Sequence, residues 1–324
     1  MSPILSEAAP AKVNLTLHVT GRRADGYHLL DSVIVFAGVG DVVRVRAHKG
    51  LALAVVGPEA AALPSPKRSR FGFAQAGLGA PAADNLVLRA ARALAEAAGE
   101  RTGAAIELDK RLPVAAGLGG GSADAAAALR ALARLWRLEG CAEILHGVAA
   151  GLGADVPACL ACRPLVARGI GERIAPLDGP WPDVHLLLAN PGRPLATAAV
   201  FAARAGAFGA PDALDKVPAT AARLAAELAR RRNDLEAPAR RLMPEIGEVL
   251  DALAALPTCL LARMTGSGAT CFGLFASGRA AKSGAAALRR ARPRWWVAAA
   301  PMLVRPPVSG RGSPRAPAGP RSAG

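Results

Sequence analysis

Four glycines, Gly117, Gly119, Gly120 and Gly121, stand directly before an alanine-rich run in PVAAGLGGGSADAAAALRAL, Pro113 to Leu132. Glycine is the poorest ordinary helix former and alanine the best. The join therefore reads as a bare loop turning abruptly into a helix, with Ser122 or Asp124 placed to cap it. A loop without side chains lets its backbone approach a ligand closely. The helix behind it aims free N–H groups and the positive end of its dipole at the same place, an arrangement that suits a phosphate. Other residues with chemical potential are scattered. Asp155 is flanked by Gly153, Ala154, Val156 and Pro157; aspartate in such surroundings is a functional carboxylate or a helix cap, and the residues alone leave both open. Lys12 and Asn14 stand two apart in a strand pattern and so share one face, although a lysine there ordinarily reaches for solvent. Tyr27-His28, behind a turn at Asp25-Gly26, sets an aromatic face beside a titratable ring, in itself an ordinary exposed pair. Cys159 and Cys162 form one CxxC with no second Cys or His pair at zinc-ligand spacing, and read as small core residues.

The elements that must hold these residues alternate between strand and helix patterns. Residues 11–20 alternate as a strand. Residues 31–48 read as two strands joined by a Gly40-Asp41 turn. Residues 57–84 are loop-like. A helix is expected over 84–99, with Asp84 or Asn85 as cap and Gly99 as stop, then a strand over 104–113 that feeds the glycine loop. The loop helix is expected from about Ser122 to Leu138, and a shorter one over 141–153. Beyond residues 178–183 the order continues with a buried strand at 184–192 and helices near 194–205 and 218–231. A helical region broken at Pro244 comes next, then strand, glycine turn and strand over 259–277, a helix from Gly278, and a last strand over 294–303. This predicts an α+β chain of two domains, 1–180 and 181–303, followed by a basic tail, 304–324, too rich in Pro, Gly, Ser and Arg to build a core.

Composition narrows the function. The chain has 324 residues and is 52% hydrophobic, yet no apolar run reaches the ~18 residues that would span a bilayer. The first residues lack a basic segment followed by an apolar one, so no signal peptide is expected. Five scattered cysteines argue against a disulfide framework, and a cytoplasmic protein without a membrane partner is expected. The formal charge of +15 invites a nucleic-acid reading. However, residues 279–324 carry ten Lys or Arg and no Asp or Glu, which leaves +5 on the first 278. With four Trp, one Tyr and seven Phe there is no evident base-stacking platform, so no specific nucleic acid is expected.

Among glycine-rich phosphate motifs, the P-loop fails because no lysine follows the glycines, and the dinucleotide fingerprint fails for want of its third glycine. The protein-kinase H-R-D and D-F-G motifs do not occur. PVAAGLGGGSADAA instead resembles the second motif, P-x-x-x-G-L-[GS]-[GS]-S, of the GHMP small-molecule kinases. The N-terminal strand motif and the C-terminal glycine turn of that superfamily are matched by APAKVNLTLHVTGRRADGYHLLDSV and ARMTGSGATCFGLF, in the right order. AKVNL, RADGYH, GLGGGSADA, LGADVP and GIGER together are similar to the branch that acts on a cytidine-diphosphate-linked methylerythritol. The likeness runs from about Ala9 to Leu303. Ala115 and Ala116 stand where the family often has glycine, a difference of one methyl each.

The resemblance implies the two-domain GHMP kinase fold with ATP and substrate in the cleft between the domains. It implies transfer of the ATP γ-phosphoryl group to a hydroxyl, with Mg²⁺ bound mainly through ATP and no dedicated protein site. Pro113, Val114, Ala115, Ala116, Gly117, Leu118, Gly119, Gly120, Gly121, Ser122 and Ala123 are the expected ATP-binding loop. Asp155 is the expected base and Lys12 its partner, with Asn14 on the same face. Tyr27, His28, Thr197 and Phe201 are the expected substrate-binding residues, and Gly266, Ser267 and Gly268 the turn that closes the site. His18, His48, His146 and His185 are read as structural. Homoserine or mevalonate kinases are the alternatives within the superfamily, and an RNA-binding protein using the arginine tail is the alternative outside it. Monomer and homodimer both stay open.

Overall fold

The computed structural model describes residues 3–63, 74–75, 85–138, 140–307 and 310–311. In chain order its elements are β1 (Leu5–Asn14), β2 (His18–Arg22), β3 (His28–His48), β4 (Leu51–Val56), β5 (Ala74–Gln75), α1 (Leu86–Ala97), β6 (Gly103–Asp109), α2 (Gly120–Leu135), α3 (Ala142–Leu152), α4 (Val156–Ala161), β7 (Leu165–Gly169), β8 (Arg173–Pro176), β9 (His185–Asn190), α5 (Thr197–Ala202), α6 (Ala221–Ala229), α7 (Glu236–Leu242), α8 (Glu245–Ala254), β10 (Leu261–Met264), β11 (Cys271–Phe275), α9 (Gly278–Ala291), β12 (Trp296–Leu303) and β13 (Gly310–Arg311). The α+β class is as expected. Most of the loop-like span 57–84 lies outside the described residues. Of the span 304–324, residues 304–307 and 310–311 are described, the latter paired with Leu5 and Ser6 of β1.

The expected hairpin at Gly40-Asp41 does not form; β3 runs unbroken through it for 21 residues. The dipeptide serves another purpose. A Cβ on Gly40 would lie 2.1 Å from the carbonyl oxygen of Ala9, so glycine lets β1 press in where the β1–β3 register shifts between Pro10 and Ala11. Asp41 turns inward and accepts from the backbone N–H groups of Arg111 and Leu112 at 2.5 and 2.8 Å.

β1 and β3 are buried on both faces. Ile34, Phe36 and Val43 face one cluster with the alanines of α2, whereas Ala11, Val13, Leu15, Val33 and Val35 face another with Leu186, Leu188 and Phe272. The period of two therefore puts Lys12 and Asn14 on the α2 side. The small side chains of α2 let that helix lie close on the sheet; ten of its residues are buried. β12 joins the halves: it pairs with β9 along most of its length, and Met302 and Leu303 then pair with Ala37 and Phe36 of β3. The strands thus connect into one sheet along the path β10-β11-β9-β12-β3-β6-β4-β5. Among the described residues no helix is long and apolar enough to cross a membrane.

Candidate active site

α2 begins at Gly120, two residues before expected, and ends at Leu135. Its cap is Gly119 in the left-handed conformation, φ 62°, with no side chain bonded to the helix start, so neither Ser122 nor Asp124 caps it. The first-turn amides keep no intrahelical acceptor and open onto a cleft of about 1180 Å³ lined by Gly117, Leu118, Gly119, Gly120, Gly121 and Ser122. The loop before them is clamped from both sides. The Lys12 N–H donates to the Leu118 carbonyl at 2.9 Å, the Thr270 N–H to Ala116 at 3.2 Å and the Leu195 N–H to Ala115 at 3.3 Å. The two glycine turns meet backbone to backbone, since a Cβ on Gly266 would lie 2.7 Å from the Gly117 carbonyl oxygen and a Cβ on Gly117 2.7 Å from that of Thr265.

Lys12 reaches from β1 past Gly119 into this cleft, and its Nζ lies 3.1 Å from Oδ1 of Asp155. Asp155 occupies the cap position of α4, yet its side chain makes no capping bond; the carboxylate is left for Lys12 and is 42% exposed to the cleft side. Lys12 Nζ also donates to Asn14 Oδ1 at 3.2 Å. Asn14 Nδ2 donates to Ser32 Oγ at 2.7 Å, and Ser32 in turn to the Thr16 carbonyl at 2.5 Å. The Asn14 N–H donates to Thr265 Oγ1 at 2.8 Å, so the C-terminal glycine turn also holds this strand. The ammonium is therefore oriented by a chain of neutral hydrogen bonds on one side and by the carboxylate on the other.

Tyr27, His28, Thr197, Phe201, Gly266 and Ser267 line the same cleft. His28 and Phe201 stack, ring centroids 5.0 Å apart and 22° between planes. Tyr27 is 60% exposed. Burial lowers the pKa of His28, with Arg22 and Arg204 acting in the same sense. The hydroxyls of Thr197 and Ser267 are 2.8 Å apart, joining α5 to the glycine turn. Pro113, Val114, Ala115 and Ala116 also line the cleft. Two expected site residues do not reach it. Ala123 is buried in the core of α2, and Gly268 packs its Cα toward Met264, Ile246 and Leu195.

Behind the glycine loop lies a group that the sequence reading missed. Lys110 Nζ is bonded to Asp41 Oδ2 at 2.5 Å and to Asp124 Oδ2 at 2.7 Å, all three side chains being buried. Among the described residues Asp124 Oδ1 has no hydrogen-bond partner. Burial pushes the Asp124 pKa up to about 8, Lys110 opposing it and Asp41 adding to it. Burial works against the Lys110 ammonium, but Asp124 and Asp41 outweigh it and hold its pKa up. An apolar wall from Leu63, Leu86, Val87 and Leu108 continues the cleft beside this group. The described residues hold no group of three or more His, Cys, Asp or Glu fit for a metal. Cys159 and Cys162 belong to the core cluster; burial raises both thiols, Cys162 to about 11, so neither is a ready nucleophile or ligand.

The chain matches the family described as GHMP kinases N terminal domain over residues 85–163 and GHMP kinases C terminal over residues 212–294. It is 52% identical to 4-diphosphocytidyl-2-C-methyl-D-erythritol kinase of Paramagnetospirillum magneticum, covering 91% of this chain and 97% of that one. It is 53% identical to the protein of the same name from Rhodospirillum rubrum, covering 90% and 91%. A crystal structure of 4-(cytidine 5'-diphospho)-2C-methyl-D-erythritol kinase superposes with TM-score 0.70 at 38% identity, covering 92% of this chain and 98% of that one. Homoserine kinase from Cytophaga hutchinsonii superposes with TM-score 0.68 at 18% identity, covering 96% and 98%, a likeness of fold.

Proposed function

We infer the reaction from the premise that this chain belongs to the 4-diphosphocytidyl-2-C-methyl-D-erythritol kinase family of the GHMP kinases. It transfers the γ-phosphoryl group of ATP to the 2-hydroxyl of 4-(cytidine 5'-diphospho)-2-C-methyl-D-erythritol, a step toward isoprenoid precursors by the non-mevalonate route. The observation that carries the assignment of roles is the Lys12–Asp155 pair, 3.1 Å apart, beside the open first turn of α2.

Phosphoryl transfer asks a protein for positioning and charge stabilisation more than for covalent chemistry. The amides of Gly120, Gly121 and Ser122, with the dipole of α2 behind them, cradle the phosphates. The apolar wall of Leu63, Leu86, Val87 and Leu108 takes the adenine. Asp155 accepts the proton of the attacking hydroxyl as the new O–P bond forms; the bond from the γ-phosphorus to its bridging oxygen breaks and ADP leaves. Lys12 holds the Asp155 carboxylate in place across their 3.1 Å contact and faces the charge that develops on the transferring group. A magnesium ion bound with ATP would supply further charge neutralisation. The Ser122 hydroxyl, in the first turn of α2 and lining the cleft, is the protein group offered to that cation.

The cytosine sits between Tyr27 and Phe201 with its edge toward His28, and Thr197, tied to Ser267, faces the sugar alcohol. A division at about residue 180 fits the gap between β8 and β9 and is part of the same reading. We place the reaction in the cytoplasm, which the five unpaired thiols support. An ATP-consumption assay with the cytidylyl methylerythritol, homoserine, mevalonate and galactose tests the assignment. Turnover with the first alone is expected; turnover with another and none with the first would refute it.

A further inference from the structure

The base-recognising end of the cleft carries more aromatic surface than a His28–Phe201 stack requires. Phe208 is 47% exposed, and it stands edge-on to His28, with centroids 6.3 Å apart and 64° between planes. The Arg204 guanidinium lies over its ring, 4.8 Å from the centroid. Arg204 is itself fastened, Nη1 donating to the Gly206 carbonyl at 3.1 Å and Nη2 to that of Ala207 at 2.6 Å. The segment after α5 is thereby folded into a short loop that presents Phe208 to His28. Phe208 belongs to none of the buried apolar clusters, so packing does not account for this placement.

We propose that Arg204 and Phe208 are positioning residues for His28 and set the preference of the site for cytosine over uracil. The proposal rests on the reading of His28 as the base-recognising residue. The stack on Phe201 restrains the plane of the imidazole, and the edge contact from Phe208 braces the ring against turning about its Cβ–Cγ bond. Together they decide where the two ring nitrogens point. The charged groups that act on the ring are both cations, Arg22 from β2 and Arg204 from the loop after α5, and with burial they oppose its protonation.

A neutral imidazole offers one N–H and one lone pair. The pairing edge of cytosine offers an amino donor beside a ring-nitrogen acceptor, whereas uracil offers a carbonyl beside an N–H. In the tautomer that turns its lone pair to the base, neutral His28 accepts from the cytosine amino group and finds no donor on the uracil carbonyl. Imidazolium has two donors and no lone pair, and would lose that distinction.

The test uses full-length Phe208→Ala, Arg204→Gln and His28→Ala, assayed from pH 6 to 9 with the cytidylyl substrate and its uridylyl analogue. Loss of one aromatic contact in Phe208→Ala raises the KM for the cytidylyl substrate about tenfold and narrows the cytidylyl preference, with kcat and the KM for ATP within about twofold. Arg204→Gln removes a cation that holds the His28 pKa down, so the acidic limb of kcat/KM moves to higher pH. Phe208→Trp keeps a ring edge and restores the preference. If Phe208→Ala is unstable, Phe208→Leu keeps the bulk without the edge and gives the same comparison. Unchanged KM, preference and pH limb in the Phe208 and Arg204 variants, while His28→Ala raises the substrate KM, would overturn the proposal and leave the kinase reading intact. An unchanged KM in His28→Ala as well would overturn the base-site reading and the proposal with it.

Discussion

Gly119 stands against the side chain of Lys12: a Cβ on it would lie 2.9 Å from Cε of Lys12 and 3.2 Å from its Cβ, so any side chain there must displace the lysine. The phosphate loop and the lysine that serves Asp155 thus share one space, and the glycine is what lets both occupy it. Its φ of 62° adds a second reason for glycine.

Gly119→Ala is expected to push Lys12 off Asp155. A displacement of about 1 Å at a reacting centre costs about 100-fold in rate, so kcat should fall by about that factor. The left-handed conformation should cost about 1–2 kcal/mol of stability, read from urea midpoints. A variant with normal kcat would show that Lys12 does not need the space.

The buried Lys110–Asp41–Asp124 group ties stability to pH. The folded-state pKa of Asp124 is raised to about 8, so between the ordinary carboxylate value and about 8 the folded chain holds a proton that the unfolded chain has released. Stability from this group is full below the ordinary value and is lost as pH rises through about 8. Urea unfolding from pH 5 to 9 should show that decline, and Asp124→Asn should flatten it. Lys110→Met leaves the buried Asp41 carboxylate without its cation, beside an Asp124 that keeps its proton, and should cost about 3–5 kcal/mol at neutral pH. An equal slope in wild type and Asp124→Asn would mean that the proton sits elsewhere.

Tyr27 presents an exposed aromatic face beside the His28–Phe201 stack. Stacking on one base is worth about 1–3 kcal/mol, so Tyr27→Ala should raise the KM for the cytidylyl substrate about tenfold or more while moving the KM for ATP little. Equal shifts in both would place Tyr27 outside the base site.

The basic tail bears on the alternative reading as an RNA-binding protein. Removal of residues 304–324, which carry four of the arginines, is expected to leave ATP turnover unchanged and to remove any salt-sensitive RNA binding. A loss of turnover would give the tail a part in catalysis.

How much of this was legible in the sequence depends on whether a local pattern has one physical meaning. Glycines before an alanine run do: they mark an open helix start, and the structure has one at Gly120. Gly40-Asp41 does not. The same dipeptide can turn a hairpin or let a neighbouring strand press close, and only the position of Ala9 decides. Asp155 was readable as a cap or as a functional carboxylate, and the absence of a capping bond together with the Lys12 contact separates the two. Lys110, Asp41 and Asp124 could not be joined from sequence, because their bonds span 69 and 14 positions and none of them sits in a pattern that names a partner. Phe208, likewise, gains meaning only from a ring 180 residues away.

The most direct test of the account is the single-turnover rate of phosphoryl transfer in wild type and in Asp155→Asn, with ATP and the cytidylyl substrate both saturating. A lost general base costs about 10²–10⁴ in rate, so Asp155→Asn should be slower by that factor with both substrates still bound. Equal rates in the two proteins would contradict it.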